Sequence, residues 1–162
     1  MEIVLEDITV SYGRGKSKFK ALDAVNLRVE ANSVYGLVGP SGCGKTSILS
    51  CCLGLVKPQS GTVSLNGQSP SDPGLGVPGE NVGYMPQELS LHPYFTPREV
   101  LKYYGLVFKV PDLSERIDEV LELLDLRKNG IEHRQNDRLS GGQQRRVSLG
   151  CALIHRPKLV IL

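Results

Sequence analysis

The chain has 162 residues, 40% of them apolar and 22% charged, with a formal net charge of +2. That length supports one domain with a real core. The near balance of charge gives no electrostatic ground for nucleic acid or an anionic membrane as the main partner. No apolar run approaches the ~20 residues that cross a bilayer, and the opening MEIVLEDITV carries acids where a secretion signal is basic. The four cysteines (Cys43, Cys51, Cys52, Cys151) make no CxxC pair and have no histidine at a zinc-like spacing. A reducing, cytosolic compartment is expected, with Cys51, Cys52 and Cys151 as small buried apolar residues.

In chain order, Ile8 to Tyr12 and Val25 to Val29 alternate apolar and polar residues, which predicts two antiparallel strands with one wet face. GRGKSKFK between them reads as a glycine- and lysine-rich turn. Val34 to Val38 is apolar without alternation, as in a strand covered on both faces. It runs into GPSGCGKTS, and KTSILSCCLGL then has helical spacing with Gly54 near its end. KPQSGTVSLNG predicts a short strand, SPSDPGLGVPGE a mobile loop, and Val82 to Met85 another short strand. Thr96-Pro97-Arg98-Glu99 is a capping box with proline at the first helical position. Ser114 can cap a helix whose stripe is Ile117, Val120, Leu121 and Leu124. A third helix should start near Ser140 and stop before Pro157, leaving KLVIL as a buried strand. Strands flanking a helical insert predict an α/β layered fold.

Gly39-Pro40-Ser41-Gly42-Cys43-Gly44-Lys45-Thr46 satisfies G-x-x-x-x-G-K-[ST] at every fixed position, and Ser47 follows it. Glycines let such a loop curl so that successive amides face phosphate oxygens, and the following helix offers its free amides and positive dipole end to the same anion. Lys45 can reach the β- and γ-phosphates and the Thr46 hydroxyl can hold Mg²⁺. The dinucleotide motif G-x-G-x-x-G is absent from this turn. A second glycine motif, Leu139-Ser140-Gly141-Gly142-Gln143, precedes a helix that Ser140 can cap. Its two glycines leave amides uncovered, which makes a second anion site on the same chain.

These two stretches, in this order, resemble the nucleotide-binding domain of ABC ATPases, over essentially the whole chain. The resemblance implies a P-loop, RecA-like α/β core with an antiparallel β portion and a helical insert. It implies one domain over 1–162, with a core over about 1–87, a helical part over 88–150 and a return to the core over 151–162. It places Tyr12 of VSYG against adenine. Gln87 of GYMPQ becomes the residue that contacts Mg²⁺ and the attacking water and moves with the membrane partner. Gly39 to Ser47 bind the phosphates, with Lys45 and Gln87 as the catalytic pair and Thr46 and Gln87 at the metal. Two such domains would pair head to tail, so that Ser140, Gly141, Gly142 and Gln143 of one cover the γ-phosphate held by the other.

The wording of GYMPQE and SGGQQRRVSLGCALIHRPKLVIL is most similar to eukaryotic half-transporters of the G and H subfamilies, in which this domain precedes membrane helices in the same polypeptide. The implied function is ATP binding and hydrolysis coupled to transport, at the cytoplasmic face of a membrane. The alternatives are a non-hydrolysing ATP-binding module and a soluble ABC ATPase of DNA repair or translation. KLVIL resembles the apolar half of the Walker B strand. The acidic pair and the switch histidine that follow it in the family lie beyond Leu162, so the resemblance implies a domain incomplete at its C-terminus that binds ATP weakly and hydrolyses it little. His92, His133 and His155 read as surface or helix-end residues. Arg134, Arg138, Arg145 and Arg146 read as a helix face paired with acids rather than as a nucleic-acid contact. Cys43, inside the phosphate loop, is a candidate for alkylation that blocks ATP.

Overall fold

Alternation of apolar and polar residues at 8–12 and 25–29 favours pleated, half-buried strands, and the computed structural model forms them within longer strands. It describes residues 1–72, 75, 77, 79–88 and 91–162. Contacts divide the chain into two units, Met1–Gly79 and Glu80–Leu162.

In the first unit, β1 (Ile3–Tyr12) pairs antiparallel with β2 (Phe19–Val29) on one side and with β3 (Ser60–Leu65) on the other. The turn between β1 and β2 carries a short 3₁₀ segment, Gly15–Ser17. Register shifts after Leu5, where Asp7 takes a positive φ of 49°. Asn26 mends this bulge: its Oδ1 accepts from the Asp7 amide at 2.9 Å and its Nδ2 donates to Asp7 Oδ1 at 2.7 Å. Helix α1 (Lys45–Cys52) follows the glycine loop and packs on β2 and β3. Leu5, Ile8, Val10, Leu22, Ile48, Cys51, Cys52, Leu53 and Leu65 are buried in this unit. Burial pushes the Cys52 thiol up to about 12, so it stays protonated and behaves as an apolar residue.

The segment expected as a doubly covered strand is a correction. Val34–Val38 takes no regular structure, and Val34 and Val38 are 103% and 93% exposed. An all-apolar parallel strand needs a neighbour on each edge and a layer on each face. The described residues give this run neither. The loop reading of SPSDPGLGVPGE falls partly on Pro73, Gly74, Gly76 and Pro78, which lie outside the described residues.

The second unit pairs β4 (Val82–Tyr84) in parallel with β5 (Leu159–Ile161) and holds three helices: α2 (Pro97–Val107), α3 (Leu113–Leu123) and α4 (Gly141–Leu153). The capping box at Thr96 forms as expected. Thr96 Oγ1 accepts from the Glu99 amide at 3.3 Å, and the Glu99 carboxylate accepts from the Thr96 amide at 2.8 Å. The Thr96 amide, and the Thr96 hydroxyl donating at 2.9 Å, hold the Glu99 carboxyl below its ordinary range. Helix α3 starts one residue before Ser114. Asp112 is its N-cap, since the Arg116 amide already donates to the Asp112 carbonyl at 3.0 Å, and Ser114 lies inside the first turn. The expected stripe does form core: Val100, Leu101, Ile117, Val120, Leu121, Leu124, Leu126 and Val147 bury together. In β5 only Ile161 is buried, while Val160 is exposed, so the strand is less covered than its composition predicts.

Three segments of this unit are joined by charge. Arg98, on the first turn of α2, donates from Nη2 to Asp118 Oδ1 at 2.6 Å and from Nε to Glu132 Oε2 at 3.0 Å. Glu132 is buried, and the Arg98 bond holds the Asp118 carboxyl below its ordinary range.

Candidate nucleotide site

Residues 39–44 place a run of main chain with no large side chains directly before α1. At Gly44 φ is +95°, and a Cβ would come within 2.7 Å of both the Ala21 carbonyl oxygen and Leu22 Cδ2. Glycine is thus required there twice, by its left-handed backbone and by its close approach to β2. The first helical bond runs from the Ile48 amide to the Gly44 carbonyl at 3.0 Å. No side chain caps this helix. Its first-turn amides, which have no carbonyl a turn earlier in the helix, therefore stay clear of side-chain acceptors. Helices α2 and α4 differ, because both spend a first-turn amide on a capping box. An uncapped, glycine-led helix start is the arrangement that suits an anion.

The Lys45 ammonium lies across this loop. It donates to the carbonyl oxygens of Gly39 and Pro40, both at 2.7 Å, and approaches Cys43 Sγ at 3.5 Å. Its positive charge is thereby fixed against the first residues of the loop. Gly39, Pro40, Ser41, Gly42, Cys43 and Thr46 are exposed, while Ser47 is buried under the first turn. Among the described residues no cluster of three His, Cys, Asp or Glu could hold a metal by itself. The exposed Thr46 hydroxyl suits a different kind of site, a Mg²⁺ bound mostly through phosphate oxygens with one or two protein oxygens added.

Tyr12 is half-buried at the end of β1, opposite Phe19 at the start of β2. Their ring centroids are 5.8 Å apart, with a 37° interplanar angle. Both rings therefore belong to the unit that carries the glycine loop. Phe19 was not singled out by its sequence, because only the hairpin register shows that it faces Tyr12.

The second motif lies in the other unit. Ser140 is the N-cap of α4: its Oγ accepts from the Gln143 amide at 3.3 Å, and Gln143 Oε1 accepts from the Ser140 amide at 2.9 Å. The S-x-x-Q spacing is itself the sequence signal of this box. A Cβ at Gly141 or Gly142 would meet nothing within 4 Å. Glycine costs a helix about 1 kcal/mol against alanine, and no neighbour among the described residues requires it here. Gln87 is exposed, on the segment just after β4.

Asn136 is a residue that sequence reasoning missed. It is 2% exposed, and its Nδ2 donates to the His92 carbonyl at 2.9 Å while its amide donates to the Phe95 carbonyl at 2.9 Å. Gln144 Nε2 donates to the Asn136 carbonyl at 2.7 Å. Residues 92–95 and the lead into Ser140 are thus one hydrogen-bonded piece. Two of the arginines expected to pair with acids, Arg134 and Arg146, hydrogen-bond to main-chain carbonyls instead. Arg146 donates to the Leu124 carbonyl at 3.0 Å and Arg134 to the Asn129 carbonyl at 2.8 Å.

His155 follows the end of α4, as expected, and is half-buried there. Its ring stacks on Phe108 with centroids 4.0 Å apart, and Nε2 donates to the Val82 carbonyl at 3.3 Å. Nδ1 is buried without a partner among the described residues. Burial holds its pKa below the ordinary 6.5; the Val82 bond opposes this and the charge of Arg116 adds to it. Above 6.5 the ring is neutral whether folded or unfolded and contributes no pH dependence. As pH falls below 6.5 the unfolded chain takes up the proton first, so stability is lost down to the depressed folded value. Urea unfolding at pH 7.5 and 5.5 should therefore show a loss that shrinks in His155→Phe. An equal loss in both proteins would contradict this assignment.

A family model described as "ABC transporter" matches residues 22–162. The chain belongs to that family. It is 38% identical over 165 residues to "ABC transporter G family member 23" of Dictyostelium discoideum, covering 99% of this chain and 22% of that one. It is 36% identical to the "probable sulfate/thiosulfate import ATP-binding protein CysA" of Chlorella vulgaris, covering 100% of this chain and 66% of that one. A solved dimeric structure of "a post-hydrolysis state of the ATP-binding cassette MJ0796 bound to ADP and Pi" superposes with a TM-score of 0.82 at 28% identity, over 98% of this chain and 72% of that chain. The chain is an ABC-type ATP-binding domain with the P-loop α/β fold. It spans about a fifth of the length of its two G-family relatives from Dictyostelium, 22% and 20%. No helix among the described residues is long and apolar enough to cross a membrane.

Proposed function

We propose that this domain binds ATP with Mg²⁺, pairs head to tail with a second such domain, and couples ATP hydrolysis to transport by membrane helices of the same full-length polypeptide, at the cytoplasmic face of that membrane. The observation that carries the reading is the uncapped start of α1 behind a glycine loop crossed by the Lys45 ammonium. Gly39 to Ser47 would hold the triphosphate, with main-chain amides on its oxygens and Lys45 on the β- and γ-phosphates. Mg²⁺ would be held by Thr46 and phosphate oxygens, with Gln87 as a further contact, and would supply charge neutralisation. Tyr12 would stack on adenine. Ser140, Gly141, Gly142 and Gln143 would face the nucleotide of the partner domain, each charge-assisted hydrogen bond adding about 1.5–3 kcal/mol to the pairing. Loss of the γ-phosphate would remove several of these and release the pair. Hydrolysis would add the partners in the family pattern, a general base among them.

The open space around Gly142 gives a clean test. A Cβ at Gly142 would meet nothing within 4 Å among the described residues, so Gly142→Val adds its bulk to the surface where a partner's phosphate would approach. Light scattering with a non-hydrolysable ATP analogue should show association of the natural chain and at least a tenfold weaker association of the variant, consistent with losing one or two such bonds. Nucleotide affinity per chain should stay unchanged. Equal association of the two proteins would contradict the pairing through this motif.

A further inference from the structure

We infer that Phe19 is the second ring of the base-binding surface and, with Tyr12, takes a purine by its flat face; this rests on the nucleotide-binding reading above and deepens it. Phe19 is 60% exposed, although it is a large apolar residue on an ordered strand. The ring it contacts is Tyr12, its partner at the last register position of the β1–β2 pair. Farther along the same strand, the main chain at Ala21 and the side chain of Leu22 abut Gly44, where the phosphate loop turns into α1. Phe19 and Leu22 are three residues apart, at most about 10 Å along the strand, with a register shift between them where Ser11 opposes Lys20 and Val10 opposes Leu22; that is the scale of a base with its sugar. One bulged strand thus carries an aromatic surface at one point and braces the anion loop at another, which fixes the spacing of the two.

The two rings are tilted by 37° rather than stacked on each other. Phe19 is exposed and Tyr12 half-buried, so a planar ligand can lie on Tyr12 with Phe19 beside it as a wall. Adenine and guanine present similar faces, and stacking is tolerant of base identity. The surface should therefore serve both purines while ignoring a ligand that has no base.

The test compares ATP, GTP and inorganic triphosphate by calorimetry, with Mg²⁺, on the natural chain and on Phe19→Ala, Phe19→Leu and Phe19→Tyr. Leucine keeps apolar bulk on the strand without a ring, and tyrosine keeps the ring. ATP and GTP should each bind about tenfold more weakly to the alanine and leucine variants, the usual scale of one lost stacking partner. Tyrosine should restore both affinities, and inorganic triphosphate should bind all four proteins alike. Unchanged ATP affinity in Phe19→Ala and Phe19→Leu overturns the inference, as does a parallel fall for inorganic triphosphate. If Tyr12→Ala weakens ATP while the Phe19 variants do not, only this inference fails. If the natural chain binds neither ATP nor triphosphate, the nucleotide reading itself fails.

Discussion

Replacing Lys45 by alanine is expected to lower ATP affinity by about 100-fold. The side chain would face two phosphates, each charge-assisted hydrogen bond is worth about 1.5–3 kcal/mol, and every 1.4 kcal/mol is tenfold. The variant also releases the Gly39 and Pro40 carbonyls that the ammonium now holds at 2.7 Å, so the loop loses both an attractive charge and its internal clasp. Lys45→Arg should recover little, because a planar guanidinium cannot replace a compact ammonium enclosed by two carbonyls. Competition against a fluorescent ATP analogue measures both variants. An alanine variant within threefold of the natural chain would remove Lys45 from the site.

Replacing Arg98 by alanine should destabilise the second unit by about 3 kcal/mol, the lower end of what is lost when one partner of a buried ion pair is removed. Glu132 is buried, and after the change its remaining ionic neighbours are Arg127 and His133, both at 3.8 Å. The cost lies mainly in the stranded carboxylate, so adding Glu132→Gln to Arg98→Ala should return part of it. Denaturant unfolding of the two single variants and the double variant gives this coupling directly. Additive losses would show that the two side chains act independently.

The parts of the fold legible in the sequence are those set by short-range rules. The phosphate loop is an eight-residue motif of fixed glycine and lysine spacing that runs into a helix, and Thr96 with Glu99 announces its own helix start. The apolar stripe of α3 names the residues that pack in the second unit. What was hidden depends on residues far apart in the chain. Phe19 meets Tyr12 only through hairpin register, and Arg98 reaches Glu132 across 34 residues. Asn136 makes its bonds 44 residues away, at His92; no local pattern marks it. Val34 to Val38 erred for the same reason. Its composition states a need for cover on both faces, while the cover must come from other segments. Ser114 shows the limit of capping rules, since a serine two residues too late still looks like a cap.

The most direct measurement is a calorimetric titration of the folded chain with ATP and Mg²⁺. Saturable heat with one nucleotide per chain is expected, with loss of that heat at the same concentrations in Lys45→Ala. A folded chain that takes up no ATP at millimolar concentration, or one that binds ATP equally well without the Lys45 side chain, would contradict it.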